Sequence, residues 1–234
     1  MADLDGGETV ETKWKTLSLT YVEYPEGDKL GMVFAIYSLT PLVIVIILAT
    51  LFFSRRDIHT FTLGIGVILN HILNHFLKHY FAEARPIIRD VVFEGHGMPS
   101  NHSQYMWFVS TYLVLFLKYR LHHIGNCMET IWKVFCGLLI LASAGLMAYS
   151  RVYLEYHTVS QVVWGSVIGA FSALVWFLIT HYIFTPFYPT IVGWRISEFF
   201  LVRDCTSIPN IMWFEFLNTR AEAHSRKKKE RKTK

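Results

Sequence analysis

Charge is scarce in this chain. Only 17% of its 234 residues are Asp, Glu, Lys or Arg, against about 25% in a soluble globular domain. Cysteine is scarce too. There are three, an odd number, with Cys136 in an apolar run and Cys127 and Cys205 near basic flanks; this argues against a disulfide framework. The 14 Gly and 7 Pro follow no regular spacing, so collagen-like and coiled-coil readings fail as well. What is abundant is apolar material: 53% hydrophobic residues, 16% aromatic, and a mean hydropathy of +0.33. The class that remains is an all-α integral membrane protein, and composition alone gives it no activity.

Long uncharged runs place the spans, since a helix needs roughly 20 apolar residues to cross a bilayer. Residues 32–53 hold no charge, and residues 58–77 lack Asp, Glu, Lys and Arg although they carry His and Asn. Shorter apolar runs occupy 103–117 and 134–149, and no formal charge occurs from Thr158 to Trp194, so a fifth span fits within 160–184. The sequence thus predicts a helical bundle of about five transmembrane helices. The polar start predicts no cleaved signal peptide.

Charge is also unevenly placed. Residues 1–30 carry three Lys against seven acids, whereas residues 218–234 carry eight bases against two acids. Beside an apolar body, a basic tail reads as a cytosolic membrane flank rather than a nucleic-acid footprint. Five spans put the termini on opposite sides. Ser54-Arg55-Arg56-Asp57, the loop from Lys118 to His123 and the tail then fall on the cytosolic side. The N-terminus and the loops 78–102 and 150–158 fall on the other. Four segments follow: 1–30, polar, acidic and lumenal; 31–184, the transmembrane bundle; 185–217, amphipathic and interfacial, rich in aromatics but holding Arg195, Glu198, Arg203 and Asp204; and 218–234, the basic cytosolic tail. The tail's Arg231-Lys232-Thr233-Lys234 suits either a retrieval signal or a polybasic flank on anionic lipid.

Polar residues inside an apolar layer are costly and need reasons. Asn70, Asn74 and Lys78 recur every fourth residue on one helix face, and helix–helix hydrogen bonding accounts for the two asparagines. Lys78 opens the segment Lys78-His79-Tyr80-Phe81-Ala82-Glu83-Ala84-Arg85-Pro86. A helix continuing to Pro86 would point Lys78 and Arg85 the same way, with Pro86 ending it. Gly97-Met98-Pro99-Ser100-Asn101-His102 precedes the third span as a helix N-terminus, with Ser100 or Asn101 as cap and free N–H groups suited to an anion. Arg151 lies at the next membrane edge and His157 at the mouth of the fifth span. Three cations, a helix N-terminus and two histidines on one side suit phosphate binding. They also suit phosphoryl transfer, one histidine attacking phosphorus and the other protonating the leaving oxygen.

Lys-x6-Arg-Pro, Pro-Ser-x-His and Ser-Arg-x5-His, in this order, resemble the three-part signature of the type 2 phosphatidic acid phosphatase superfamily, which includes lipid phosphatases and vanadium haloperoxidases. Val22-Glu23-Tyr24-Pro25, Met98-Pro99-Ser100 with His102-Ser103-Gln104, Tyr149 to Leu154, and Ser197 to Leu201 with Ile208-Pro209-Asn210 are similar to the branch acting on polyisoprenoid diphosphates in the endoplasmic reticulum. The resemblance covers nearly the whole chain. It implies hydrolysis of dolichyl diphosphate at a lumenal site, in recycling of the lipid carrier for N-glycosylation. His157 would be the nucleophile and His102 the general acid. Lys78, Arg85, Ser100, Arg151 and backbone N–H groups near Asn101 would hold the phosphoryl oxygens. It implies no cofactor and no metal, the three cations supplying the positive field.

Two positions depart from the superfamily pattern. Asn101 replaces a Gly and keeps its N–H. Gln161 replaces an Asp four residues after the nucleophile; its carbonyl accepts from imidazole Nδ1 but brings no charge. Gln161 is expected to orient His157. Asn101-His102-Ser103 is formally a glycosylation sequon, expected to be unmodified because a glycan there would block the pocket. Gly165-x3-Gly169 reads as a close-packing face within the scaffold. Two other functions share these features: a broader lipid phosphatase acting on phosphatidate or sphingoid phosphates, and a non-catalytic lipid-binding membrane protein.

Overall fold

The computed structural model describes residues 22–25, 27–86, 96–121, 127–208 and 211–233. Most of the acidic segment (1–21), the loop stretch 87–95, His122 and His123, and Pro209-Asn210 lie outside the described residues. Among the described residues the regular elements are helical, apart from one isolated bridge between Asp57 and Arg203. In order they are α1 (Lys29–Tyr37), α2 (Thr40–Arg55), α3 (Ile58–Phe81), α4 (Asn101–Tyr119), α5 (Cys127–Tyr153), α6 (Val159–Ile179), a π-helical turn (Thr180–Phe184), α7 (Thr185–Val192), α8 (Arg195–Phe199) and α9 (Ile211–Thr233).

Helices α1 and α2 together, α3, α5, and α6 with its extension are each long and apolar enough to cross a membrane. Helix α4 is more polar and packs against α3, α5 and α6, so it forms the axis of the bundle. The core lies along it: Tyr105, Met106, Phe108, Val109 and Tyr112 of α4 meet Leu63 and Val67 of α3, Ala144 and Met147 of α5, and Ala173 and Phe177 of α6. The outer faces are apolar too, with Val43, Ile46 and Ile47 of α2 and Val167 and Phe171 of α6 exposed. Apolar residues both inside and outside are what a lipid-solvated bundle requires.

In lipid, helices associate through close packing and polar contacts rather than hydrophobic burial. Both devices join α4 to its neighbours. A Cβ on Gly165 would lie 2.7 Å from the Ser100 carbonyl oxygen, and one on Gly169 would lie 2.2 Å from that of Gln104. The two glycines therefore let the α6 backbone touch that of α4. On α4's other side, Asn74 Nδ2 donates to Gln104 Oε1 at 2.8 Å, and Gln104 Nε2 donates to Asn70 Oδ1 at 3.0 Å. Ser172 Oγ of α6 also donates to Asn70 Oδ1. The asparagines thus make the interhelical bonds expected of them.

Three element boundaries differ from the sequence reading. The apolar run 32–53 is not one helix: it breaks at Ser38-Leu39. Pro41 has no N–H to offer the Tyr37 carbonyl, which instead accepts from Thr40 Oγ1 at 2.6 Å. Helix α3 stops at Phe81, four residues short of Arg85, because Ala82 turns the chain with φ 48°; Pro86 is not its terminator. At the other extreme, the fifth apolar helix does not end near 184. Thr185 N–H bonds to the Thr180 carbonyl in a π-type turn, which absorbs Pro186 and carries the helix on to Val192.

The bundle has two distinct ends. One holds the C-terminus of α3, the N-terminus of α4, and the α5–α6 turn. At the other, Arg55 pairs with Glu215, Arg203 donates to the Arg55 carbonyl, and Arg120 bonds Thr185.

Candidate functional site

The α5–α6 turn is built to expose one histidine. Tyr156 and His157 both donate their N–H groups to the Arg151 carbonyl, at 3.1 and 3.3 Å, closing the end of α5 after Glu155 adopts φ 57°. Thr158 then caps α6. Its Oγ1 accepts from Gln161 N–H, while Gln161 Oε1 accepts from Thr158 N–H, a reciprocal capping box. Thr158-x-x-Gln161 is the sequence signature of this box. His157 therefore sits immediately before a rigid helix start and is buried, with 4% of its surface exposed.

His157 Nδ1 lies 3.2 Å from Gln161 Oε1. The amide orientation is fixed by chemistry: Thr158 N–H can only donate to an oxygen, and the Ala84 carbonyl, 2.8 Å from Gln161 Nε2, can only accept. With oxygen facing Nδ1, His157 must carry its proton on Nδ1. Its Nε2 lone pair is left for the pocket. Burial, then the Arg151 and Arg85 cations, hold the His157 imidazole well below its ordinary pKa, with Gln161 opposing them slightly and Lys78 adding to them. The ring is neutral at physiological pH.

The same three cations are the charges acting on His102, in the first turn of α4. Residues far apart in the chain, Lys78 at the end of α3, Arg85 beyond it and Arg151 at the end of α5, thus meet around His102 and His157. Lys78 and Arg85 are half-buried and Arg151 is 5% exposed. Arg151 is held from two sides: its guanidinium lies 4.0 Å from the Tyr156 ring centroid, and Nη1 donates to Ser38 Oγ at 3.0 Å. The Tyr156 hydroxyl in turn accepts from Glu23 N–H at 2.7 Å.

Ser100 occupies the N-cap position of α4, as expected, but its hydroxyl makes no capping bond. It is fully buried and among the described residues has no hydrogen-bond partner, while its N–H is used by the Gln161 carbonyl at 3.0 Å. A buried hydroxyl at a helix N-terminus, two residues before His102 on which the three cations act, is chemistry suited to binding an anion. Asn101 is the first residue of α4 and is half-buried. Among the described residues no group of three or more His, Cys, Asp or Glu side chains is arranged to hold a metal ion.

All eight residues singled out from the sequence lie at one end of the bundle. Ser38, Glu83, Ala84 and Tyr156 were not. Ser38 is buried inside an uncharged span and lies 113 positions from Arg151, so neither polarity nor spacing marks it. Glu83 lies in the motif segment but carries no signature of its own.

A sequence model of the PAP2 superfamily matches residues 59–185. The chain is 44% identical over 229 residues to Dolichyldiphosphatase 1 of Rhinolophus ferrumequinum and 44% identical over 229 residues to that of Mus musculus, each alignment covering 96% of both proteins. Its fold is similar to a transmembrane PAP2 type phosphatidylglycerolphosphate phosphatase from Bacillus subtilis, with a TM-score of 0.55 and 24% identity over 66% of this chain and 78% of that one.

Proposed function

The chain belongs to the PAP2 superfamily, and from that premise we propose that it hydrolyses dolichyl diphosphate to dolichyl phosphate and inorganic phosphate. The observation that carries this reading is the pairing of a tautomer-locked, neutral His157 with three cations that also surround His102. The near full-length likeness to dolichyldiphosphatases supplies the substrate.

In this mechanism Lys78, Arg85 and Arg151 bind the diphosphate oxygens, with Ser100 Oγ and N–H groups near Asn101 completing the cradle. His157 Nε2 attacks the terminal phosphorus. An Nε2–P bond forms as the bond from phosphorus to the bridging oxygen breaks, and His102 delivers a proton to that oxygen as dolichyl phosphate departs. Gln161 Oε1 accepts from Nδ1–H, which stabilises the cationic phosphoimidazole. Water then attacks the same phosphorus, His102 takes its proton, and the N–P bond breaks to release phosphate and restore His157. Positioning and charge stabilisation do most of the work in such transfers.

The cations serve where a metal would otherwise be required, so the reaction proceeds without one. The site faces the lumen of the endoplasmic reticulum. The opposite end, with Arg55, Arg56, Lys118, Arg120 and the basic α9, faces the cytosol under the positive-inside rule. Regenerated dolichyl phosphate returns to use as a carrier for protein N-glycosylation.

The test is phosphate release from dolichyl diphosphate by purified protein in excess EDTA, against phosphatidate as competitor substrate. Wild type is expected to prefer the diphosphate, and His157→Ala to lose about 1,000-fold or more in kcat. An active His157→Ala protein, or faster hydrolysis of phosphatidate, would overturn the reading.

A further inference from the structure

A neutral amide beside the proposed nucleophile leaves one question of charge. When Nε2 of His157 takes the phosphoryl group and Nδ1 keeps its proton, the ring becomes cationic, and Gln161 offers it only a dipole. Arg151 of α5, Arg85 after α3 and Lys78 of α3 all oppose that cation, and His102 of α4 stands under the same charges.

The hydrogen bonds of Gln161 lead to a carboxylate. Its Nε2 donates to Glu83 Oε1 at 2.9 Å as well as to the Ala84 carbonyl at 2.8 Å. Both amide hydrogens are thus bound by acceptors, while Oε1 collects Thr158 N–H and faces His157 Nδ1. Glu83 is exposed, and its backbone is held in place on both sides. Ala82 turns the chain at the end of α3, and Gly97 N–H donates to the Glu83 carbonyl at 2.6 Å. Gly97 fits closely against the amide: a Cβ there would lie 2.7 Å from Gln161 Nε2.

We infer that Glu83 is a positioning residue for the reaction, its carboxylate acting through Gln161 to hold His157 in the Nδ1–H form and to offset the charge the ring gains on phosphorylation. This rests on the proposed role of His157 as nucleophile. A hydrogen-bond chain polarises along its length, so a negative end at Glu83 makes Gln161 Oε1 a better acceptor than an isolated amide. The charge that a direct carboxylate partner would bring is displaced by one residue.

The experiment is a charge swap read by kinetics. Glu83→Leu is expected to lower kcat about 10-fold with KM little changed, because the interaction strengthens in the transition state. Gln161→Glu is isosteric with the amide and sets a carboxylate against Glu83 Oε1 and the Ala84 carbonyl; a loss of about 100-fold is expected. The double variant Glu83→Gln with Gln161→Glu lets residue 83 donate to residue 161, and should recover about 10-fold of that loss. Glu83→Gln alone keeps an oxygen able to accept from Gln161 Nε2 but removes the negative charge, so the acid limb of kcat/KM should move to lower pH, a shift a merely structural contact would not produce.

Wild-type kcat in Glu83→Leu would overturn the inference, as would a double variant no better than Gln161→Glu alone. If Glu83→Leu fails to fold, the polar double variant decides by itself. His157→Ala separates the two levels: activity there sinks the proposed function, whereas an inactive His157→Ala beside a fully active Glu83→Leu sinks this inference only.

Discussion

Arg151 donates to Ser38 Oγ at 3.0 Å across 113 residues of sequence. Ser38 Oγ in turn donates to the Phe34 carbonyl at 2.9 Å, which aims its lone pair at the guanidinium. One residue at the break between α1 and α2 thus fixes a proposed phosphate ligand that comes from the end of α5.

Replacing Ser38 with Ala removes the side-chain oxygen that accepts from Arg151 Nη1. A loss of about 10-fold in kcat/KM for dolichyl diphosphate is expected, one charged hydrogen bond's worth. Steady-state kinetics in detergent micelles measures it, and unchanged kcat/KM would show that Arg151 keeps its place without the Ser38 hydroxyl.

The contact of Gly169 with the Gln104 carbonyl makes a stability prediction. A methyl group cannot occupy a position 2.2 Å from a backbone oxygen, so Gly169→Ala must push α6 away from α4. A destabilisation of about 2 kcal/mol is expected, in the range of overpacked cores. Thermal unfolding in detergent reads it. Gly145, whose Cβ would meet nothing within 4 Å, serves as control: Gly145→Ala should leave the midpoint unchanged or raise it.

The polar network on the other side of α4 should show coupling. Asn74→Leu strands Gln104 Oε1 and is expected to cost about 1–3 kcal/mol, the penalty of a buried acceptor without a partner. Adding Gln104→Leu removes the stranded group, so the double variant should lose less than the sum of the single variants. Additive losses in a double-mutant cycle would show that the two side chains act independently.

The pH profile follows from the direction of the His157 shift. Its pKa is depressed by burial, Arg151 and Arg85, so the neutral nucleophile is present above that depressed value and is lost only as pH falls through it. The acid limb of kcat/KM, which reports the free enzyme, should therefore lie well below 6.5. Arg85→Gln removes one depressing charge, so the limb should move toward higher pH even as the maximum rate falls. A limb at 6.5 in the wild type would contradict the environment described for His157.

Much of the site was legible because its chemistry demands particular residue types at fixed distances from membrane edges. Lys78, Arg85, His102, Arg151 and His157 stood out as ionisable groups bordering apolar runs. The asparagines of α3 stood out as polar groups inside one. Helix ends were less legible, since they depend on single backbone events: Ala82 in the left-handed region, the missing N–H of Pro41, and the π turn before Pro186. The side-chain capping bond expected of Ser100 is absent, which only the three-dimensional placement of its hydroxyl decides.

The sequence by itself determined that this chain is a membrane helical bundle, roughly how many long apolar helices it has, and which ionisable groups border them. Those properties follow from residue type and local order, which act at short range along the chain. Only the tertiary structure decided which groups touch: that Ser38 holds Arg151, that Glu83 reaches His157 through Gln161, and that two glycines of α6 seat it against α4. Such pairings join positions far apart in sequence, and they are fixed by the packing of whole helices, which no local pattern encodes.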